Sequence, residues 1–458
     1  MKKIFYFSFL FLFFQHCSFD NKTGIWNNND KSKQVIVSKE KNNELKLVFD
    51  QFSEFNEEIN VKLSSKIKID APHDNKNWEQ ENYNSFNNVP HFYYQGKKQI
   101  NYKTSRLSKS NIFKNKNKNP LKQLLVHDNK IIFSDRKGKI YAYSFVNNTR
   151  ILEFNFYKKK YKKYQKKLSL IVDKNIIYAS DNLGYIYSID IDSGKLLWAK
   201  YYGVPFRSNI KIIENQIFLM NQDNLFYSIN KLTGEKNWTF LSSPQFLKSN
   251  FINNIVYNVE RNNVIFANTN GELYSINYLN KKINWFINLK KGSAMDQEKI
   301  FKSAPLVMNS ENLIVSTGTS IKSIDLFTAN TIWEKNILIK AKPILTKNNI
   351  FLLTTNNLLI CLELLTGDVV WSKNILSESS QKKRSKILDK IDSIENILLA
   401  NNQIFLFSHK GYLLSFNYKN GKLLSADRIL KKSLGTSPVI ANGKMYLFDT
   451  SSRLYLIN

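Results

Sequence analysis

Asp190 and Asp325 are the carboxylates that could be mistaken for a general acid and base. Both occupy one repeated turn position, described below, where a carboxylate caps backbone N–H groups instead. The five histidines, His16, His73, His91, His127 and His409, show no metal-ligand spacing. Two cysteines, Cys17 and Cys361, leave almost no material for a metal cluster. No P-loop, no GxGxxG ahead of a helix and no nucleophile elbow is present. The expectation is no catalytic residue, no metal and no cofactor. One charged feature stands out. FYKKKYKKYQKK (156–167) interleaves seven lysines with Tyr157, Tyr161 and Tyr164. Lysines among aromatics can bind RNA or anionic lipid; the plainer reading is a solvated loop or a strand edge protected by lysine.

Composition narrows the class. The chain has 458 residues, 43% of them hydrophobic, with only 15 Gly and 8 Pro. That fits a globular chain and excludes collagen-like and Pro-rich classes. Lys and Arg number 67 against 37 Asp and Glu, a formal charge of +30 that favours anionic partners. Lys, Asn and Ile are abundant throughout, a flavour that an AT-biased genome also gives.

Residues 1–17 read MKKIFYFSFLFLFFQHC: two lysines, an apolar run from Ile4 to Phe14, then Cys17. This has the form of an export signal, with Cys17 read as the residue to be lipidated and ordinary cleavage without lipidation as the alternative. Phe14, Gln15 and His16 are larger than a lipoprotein peptidase prefers, and Ser18 leans toward the outer membrane. An export signal argues against nucleic acid as partner. Cys361, inside LLICLELL, is expected to be a buried small hydrophobe with no disulfide. Residues 18–85 are polar and irregular and read as a tether, with one short ordered piece around 45–69.

What positions all of this is a repeat. GYIYSIDIDSGKLLW (184–198) aligns without gaps on 224–238, 271–285, 319–333 and 357–371. Each copy ends in a tryptophan fourteen residues after its first position: Trp198, Trp238, Trp285, Trp333 and Trp371. Five of the seven tryptophans share that phase. Weaker copies start at Gly138 and Gly411, with Leu152 and Ser425 in the tryptophan place, and SRLYLIN (452–458) begins an eighth. Within a copy, period-2 alternation gives a strand. Position 6 is always polar: Ser144, Asp190, Asn230, Asn277, Asp325, Glu363, Asn417 and Asn458. Gly194, Gly234, Gly367 and Gly421 follow four residues later, so the strand enters a tight hairpin and a second strand carries the tryptophan. Two more strand-like runs precede each copy. Four antiparallel strands in about 45 residues make one propeller blade. Eight copies predict an all-β, eight-bladed propeller over 86–458. Its last blade is closed by an N-terminal strand from 94–105, with Gly96–Lys97 in place of Gly194–Lys195 and Ile100 or Tyr102 in the tryptophan place.

The Asx-x-x-x-Gly-Lys-x-x-Trp pattern resembles the PQQ-like (quinoprotein-type) repeat family, and behind a lipoprotein signal it is most similar to the BamB family of propeller lipoproteins. That resemblance implies a non-enzymatic scaffold on the periplasmic face of the outer membrane, lipid-anchored and a monomer within a complex. It implies as partners the β-barrel outer-membrane assembly protein and unfolded barrel substrates. It implies that each tryptophan docks on the next blade. It also implies that Val204, Phe206 and Arg207 of VPFRSN face the partner, since apolar-x-apolar-Arg is kept there. The alternatives are a PQQ-dependent dehydrogenase, which the repeat family also contains, and an envelope propeller that binds anionic ligands through 156–167. A second insertion, SESSQKKRSKILDK (377–390), is a further candidate contact.

Overall fold

The computed structural model describes residues 17–19, 26–28, 54–61, 67–108, 124–161, 163–243, 253–290, 305–376 and 387–458. Residues 1–53 and 54–458 form separate compact units. In the first, Cys17–Phe19 pairs antiparallel with Trp26–Asn28. The apolar run of the expected signal lies outside the described residues. Among the described residues no helix is long and apolar enough to cross a membrane.

Residues 54–458 hold eight four-stranded antiparallel sheets, the blades of a propeller. Blades one to eight span 125–155, 168–201, 211–241, 255–288, 307–335, 344–374, 394–428 and 439–457. The alternation read in the sequence does not give half-exposed strands. Ile186, Tyr187, Ser188 and Ile189 are all buried, because each blade is covered on both faces by its neighbours. Only the outermost strand alternates, as in Lys236–Leu241.

The hairpin between the third and outer strands is uniform. The N–H at position 10 donates to the carbonyl at position 6, as from Gly194 to Asp190 and Gly234 to Asn230, both near 3.0 Å. Position 10 is left-handed even where no glycine stands there, at Asn148, Lys281 and Ala329. A bulge after position 4 then turns the outer strand, and the residue opposite position 4 is the tryptophan, as in Ser188↔Trp198 and Ser228↔Trp238.

The eighth blade is completed by Ile100–Lys103, which pairs with Leu454–Ile457. The register settles which residue replaces tryptophan. Tyr102 lies opposite Leu456, at position 4, and Ile100 opposite Ile457. Tyr102 therefore takes the tryptophan place, and Lys98, left-handed, takes position 10. The alignment of Gly96–Lys97 on Gly194–Lys195 was two residues out of phase.

The expected tether needs correction. From residue 54 onward it is packed on the propeller. Ile59 bridges Ser372 at the outer edge of blade six, and Phe55, Val61, Ile67 and Ile69 pack on the blade cores. Residues 75–95 then fill one end of the central channel and make a full circuit of the inner strands. Asn75 bonds Ile440 and Asn442 of blade eight, Trp78 bridges Val126 of blade one, and Glu79 accepts from Val172 of blade two. Lys211 of blade three donates to Gln80 and Asn84. Ser85 and Phe86 accept from Tyr257 and Met308 of blades four and five. The Asn88 amide exchanges two hydrogen bonds with Leu345 of blade six. Phe92 bonds Leu399 and Asn401 of blade seven, and Gln95 returns to Gly443 of blade eight. Inner strands end in backbone groups that would otherwise face the channel unpaired, and this segment pairs them. Trp78, Val89, Phe92 and Tyr94 are buried in the process.

Candidate functional site

Two ends of the ring differ. One carries the hairpins of the repeat and the channel-filling segment. The other carries the turns between second and third strands and the connections from blade to blade.

The tryptophans are held between blades. Nε1 of Trp198, Trp285, Trp333 and Trp371 donates to the carbonyl of Lys231, Leu326, Leu364 and Tyr418, at 3.0, 3.0, 2.9 and 3.2 Å. Each acceptor is position 7 of the following blade. Trp238 packs on Phe218 and Phe226 of its own blade. The indoles also lie over position 10 of the next blade. A Cβ at Gly234 would fall 2.3 Å from Trp198 Cε3, and one at Gly367 would fall 2.5 Å from Trp333 Cδ2. Tyr102 reaches across in the same sense, its hydroxyl 3.2 Å from that of Tyr143 in blade one.

Asp190 and Asp325 cap their turns. Asp190 Oδ1 accepts the hydroxyl and N–H of Ser193, and Asp325 Oδ1 accepts the N–H groups of Phe327 and Thr328. The Ser193 hydroxyl holds the Asp190 carboxyl below the usual range, and the Thr328 N–H does so for Asp325.

A second capping position escaped the sequence reading. Three residues before each copy stand Asp135, Asp181, Asn221, Asn268, Ser316, Thr354, Ser408 and Asp449, all buried. Asp181 Oδ1 accepts from Leu183 and Tyr185 at 2.8 Å, and Asp449 Oδ1 from Ser451 and Arg453. The signal was present: a short polar residue three places ahead of the phase residue in every copy.

That position explains the basic run. The Tyr157 hydroxyl donates to Asp181 Oδ2 at 2.6 Å, and its ring occupies the space beside Gly138. Lys166 is buried, its ammonium 5.2 Å from the Tyr157 ring, and burial lowers its pKa. The run is therefore partly a clasp between blades one and two. Lys158, Lys159, Lys163 and Lys167 stay exposed.

The partner-facing trio divides. Phe206 is buried in the core of blades two and three, 5.8 Å from the Tyr227 ring. It bridges Asn221, just as Ile339 bridges Thr354 and Leu434 bridges Asp449. In each case an apolar side chain fifteen residues before the buried cap wedges two blades together. Phe206 is thus withdrawn from any partner face. Val204 and Arg207 keep accessible surface. Arg207 is fixed through its backbone, donating to Met220 and accepting from Asn253, and burial lowers its pKa.

In the channel, Glu81 faces Lys211 and Lys342. Burial lowers both lysines to about 7, with Lys342 lowering and Glu81 raising Lys211, and burial raises Glu81. Lys211 is fully buried, whereas Lys342 and Glu81 are half-buried. Among the described residues no group of three His, Cys, Asp or Glu could hold a metal. A Ca²⁺ beside a quinone needs several oxygen ligands, and one glutamate between two lysines does not fit that group. His73, His91 and His127 serve the channel segment instead. His91 Nδ1 lies 2.7 Å from the Asp70 carbonyl while Nε2 accepts from Asn402, and His127 Nδ1 lies 2.6 Å from Glu79. Cys361 is buried opposite Trp371, and burial pushes its thiol up.

Comparison with known proteins agrees with this architecture. The family model described as "Outer membrane protein assembly factor BamB" matches residues 158–373. BamB of Moranella endobia (strain PCIT) is 21% identical over 298 residues, covering 63% of this chain and 74% of that one. The crystal structure of BamB from Moraxella catarrhalis superposes with a TM-score of 0.61 at 12% identity, covering 79% of this chain and 99% of that one. Quinohemoprotein alcohol dehydrogenase from Comamonas testosteroni superposes with a TM-score of 0.62 at 8% identity, covering 83% and 80%. Identities this low carry the fold and leave the chemistry to the residues. Repeat, ring and family model together make the chain an eight-bladed β-propeller similar to PQQ-like repeat proteins, the family model matching somewhat less than half of its length.

Proposed function

We propose that the protein is a non-enzymatic scaffold of the cell envelope that assists insertion of outer-membrane β-barrel proteins. A lipid on Cys17 holds it at the periplasmic face of the outer membrane. As a monomer within a complex, it binds the β-barrel assembly protein, and unfolded barrels pass nearby as substrates. The observation that carries this reading is the match of the BamB family model to residues 158–373, which includes the connection bearing Val204 and Arg207. Filling of the hairpin end of the channel by residues 75–95 supports it, since the blade connections, with Val204 and Arg207, lie at the other end. A hot-spot arginine beside an apolar side chain suits such a contact.

The dehydrogenase-like superposition favours a second reading, a quinone enzyme. The lysine-lined channel speaks against it. Two experiments separate them. Co-purification from detergent-solubilised envelope should recover the β-barrel assembly protein. Reconstitution with PQQ and Ca²⁺, followed by a dye-linked alcohol oxidation assay, should give no turnover; clear turnover would overturn the scaffold reading.

A further inference from the structure

At the end of the ring that carries the connections, blades seven and eight line an open pocket of about 590 Å³. Four separate elements bring cations to it. Lys390 comes from the connection into blade seven, and Lys410 from the turn between Gln403–Ser408 and Tyr412–Asn417. Arg428 ends the outer strand Leu423–Arg428, and Lys431 and Lys432 follow in the connection to blade eight. Asp389 is the one carboxylate in the lining. Among the described residues none of the five cations pairs with a carboxylate.

The walls are fixed. Arg428 donates from Nε and Nη2 to the carbonyls of Leu430 and Lys431, at 3.1 and 3.0 Å, and its guanidinium lies 5.7 Å from the Tyr412 ring. The N–H groups of Ile429 and Leu430 both donate to the Gly411 carbonyl. A Cβ at Gly411 would meet Leu430 Cβ at 2.6 Å, so connection and turn are in close contact. Leu434 donates to His409, and Thr450 to Ser433, which joins the two blades along the pocket.

Five cations line the pocket with Asp389, and Asp392 accepts the Lys410 N–H at 3.0 Å beside it, so the wall keeps a positive excess that a bound anion offsets. Arginine offers a planar fork that matches phosphate, and lysines add point charges. The hydroxyls of Ser433 and Thr450 supply neutral donors at the same wall. The volume lies in the range of about 300–1,000 Å³ typical of small-molecule sites, so phosphate with a substituent fits. We infer that this pocket is a binding site for a phosphate-bearing anion. It is distinct from run 156–167, where Tyr157 and Lys166 are consumed by the blade clasp.

The test uses the full chain and two probes. Inorganic pyrophosphate is titrated calorimetrically, and flotation compares vesicles of phosphatidylcholine with vesicles that also contain phosphatidylglycerol. Saturable pyrophosphate binding that weakens with salt is expected. Lys410→Gln with Lys431→Gln should weaken it about tenfold or more, about 1.4 kcal/mol. Among the described residues neither lysine side chain has a hydrogen-bond or ion-pair partner, so the protein should stay folded. Arg428→Gln should also weaken binding, with some loss in the melt because Arg428 ties the connection to Tyr412, while Lys195→Gln, in a blade-two hairpin, should change neither. Flotation with the anionic vesicles that pyrophosphate competes away identifies a lipid headgroup as ligand. Pyrophosphate binding without flotation identifies a free phosphate compound. Absence of saturable pyrophosphate binding, or equal loss in Lys195→Gln, overturns the site.

Discussion

Gly234→Ala and Gly194→Ala make the same chemical change at the same repeat position, yet the structure predicts different outcomes. Both glycines are left-handed, at φ +72° and +66°. A Cβ there costs about 1–2 kcal/mol in either blade. At Gly194 the nearest atom to that Cβ is Leu152 Cδ1 at 3.2 Å, the end of a side chain that can turn away. At Gly234 three atoms of the Trp198 indole stand at 2.3–2.8 Å. That indole cannot retreat without losing its 3.0 Å bond to the Lys231 carbonyl. Overpacking of this kind adds about 1–3 kcal/mol. Gly194→Ala should therefore cost about 1–2 kcal/mol, and Gly234→Ala about 2–5 kcal/mol. In a Trp198→Ala background the Gly234 substitution should fall back to the strain alone, giving a coupling of about 1–3 kcal/mol. Urea denaturation followed by circular dichroism measures all four proteins. Equal effects at the two glycines, or an unchanged Gly234 effect without Trp198, would refute the claim that the indole docks on that glycine.

Three further outcomes follow from the same structure. Removing residues 1–53 should leave the melting temperature unchanged, whereas removing 1–94 should lower it sharply, because Trp78, Phe92 and Tyr94 are buried and each is worth about 3–5 kcal/mol on truncation; equal melts would contradict the channel-filling role. Lys211 sits near 7 in the folded protein against about 10.4 unfolded. Between those values the unfolded chain holds the extra proton, so stability rises with pH from about 7 toward 10, and Lys211→Met should reduce that rise in melts across the window, leaving the part due to Lys342. Cys17→Ala should release the protein from membranes, since each buried acyl CH₂ contributes about 0.8 kcal/mol; fractionation that still finds normally processed mutant in the membrane would exclude lipid anchoring.

Repetition made the ring legible. Position 6, position 10 and the tryptophan are local features repeated in one phase, so a single blade aligned on its neighbours reveals the hairpin and the docking residue. The buried caps at Asp181 and Asp449 were readable by the same alignment, and so was the wedge shared by Phe206, Ile339 and Leu434. Judging VPFRSN by its motif alone hid that periodicity and put Phe206 on the surface. The channel segment was not readable. Residues 75–95 have no period, because successive residues answer eight different strands through backbone groups and asparagine amides. Such bonds depend on where the inner strands end, which local sequence does not encode. Tyr102 was left open against Ile100 for a related reason: the bulge shifts the register by one residue, and only pairing with Leu456 fixes it.

A protein contact through the connection that bears Arg207 can be measured by a binding titration. The purified chain is immobilised and the periplasmic part of the β-barrel assembly protein is passed over it, for wild type, Arg207→Glu and Lys195→Glu. Saturable binding by wild type and by Lys195→Glu is expected, with at least about a tenfold loss in Arg207→Glu while circular dichroism still shows it folded. No saturable binding by the folded wild type, or equal binding by Arg207→Glu, would contradict it.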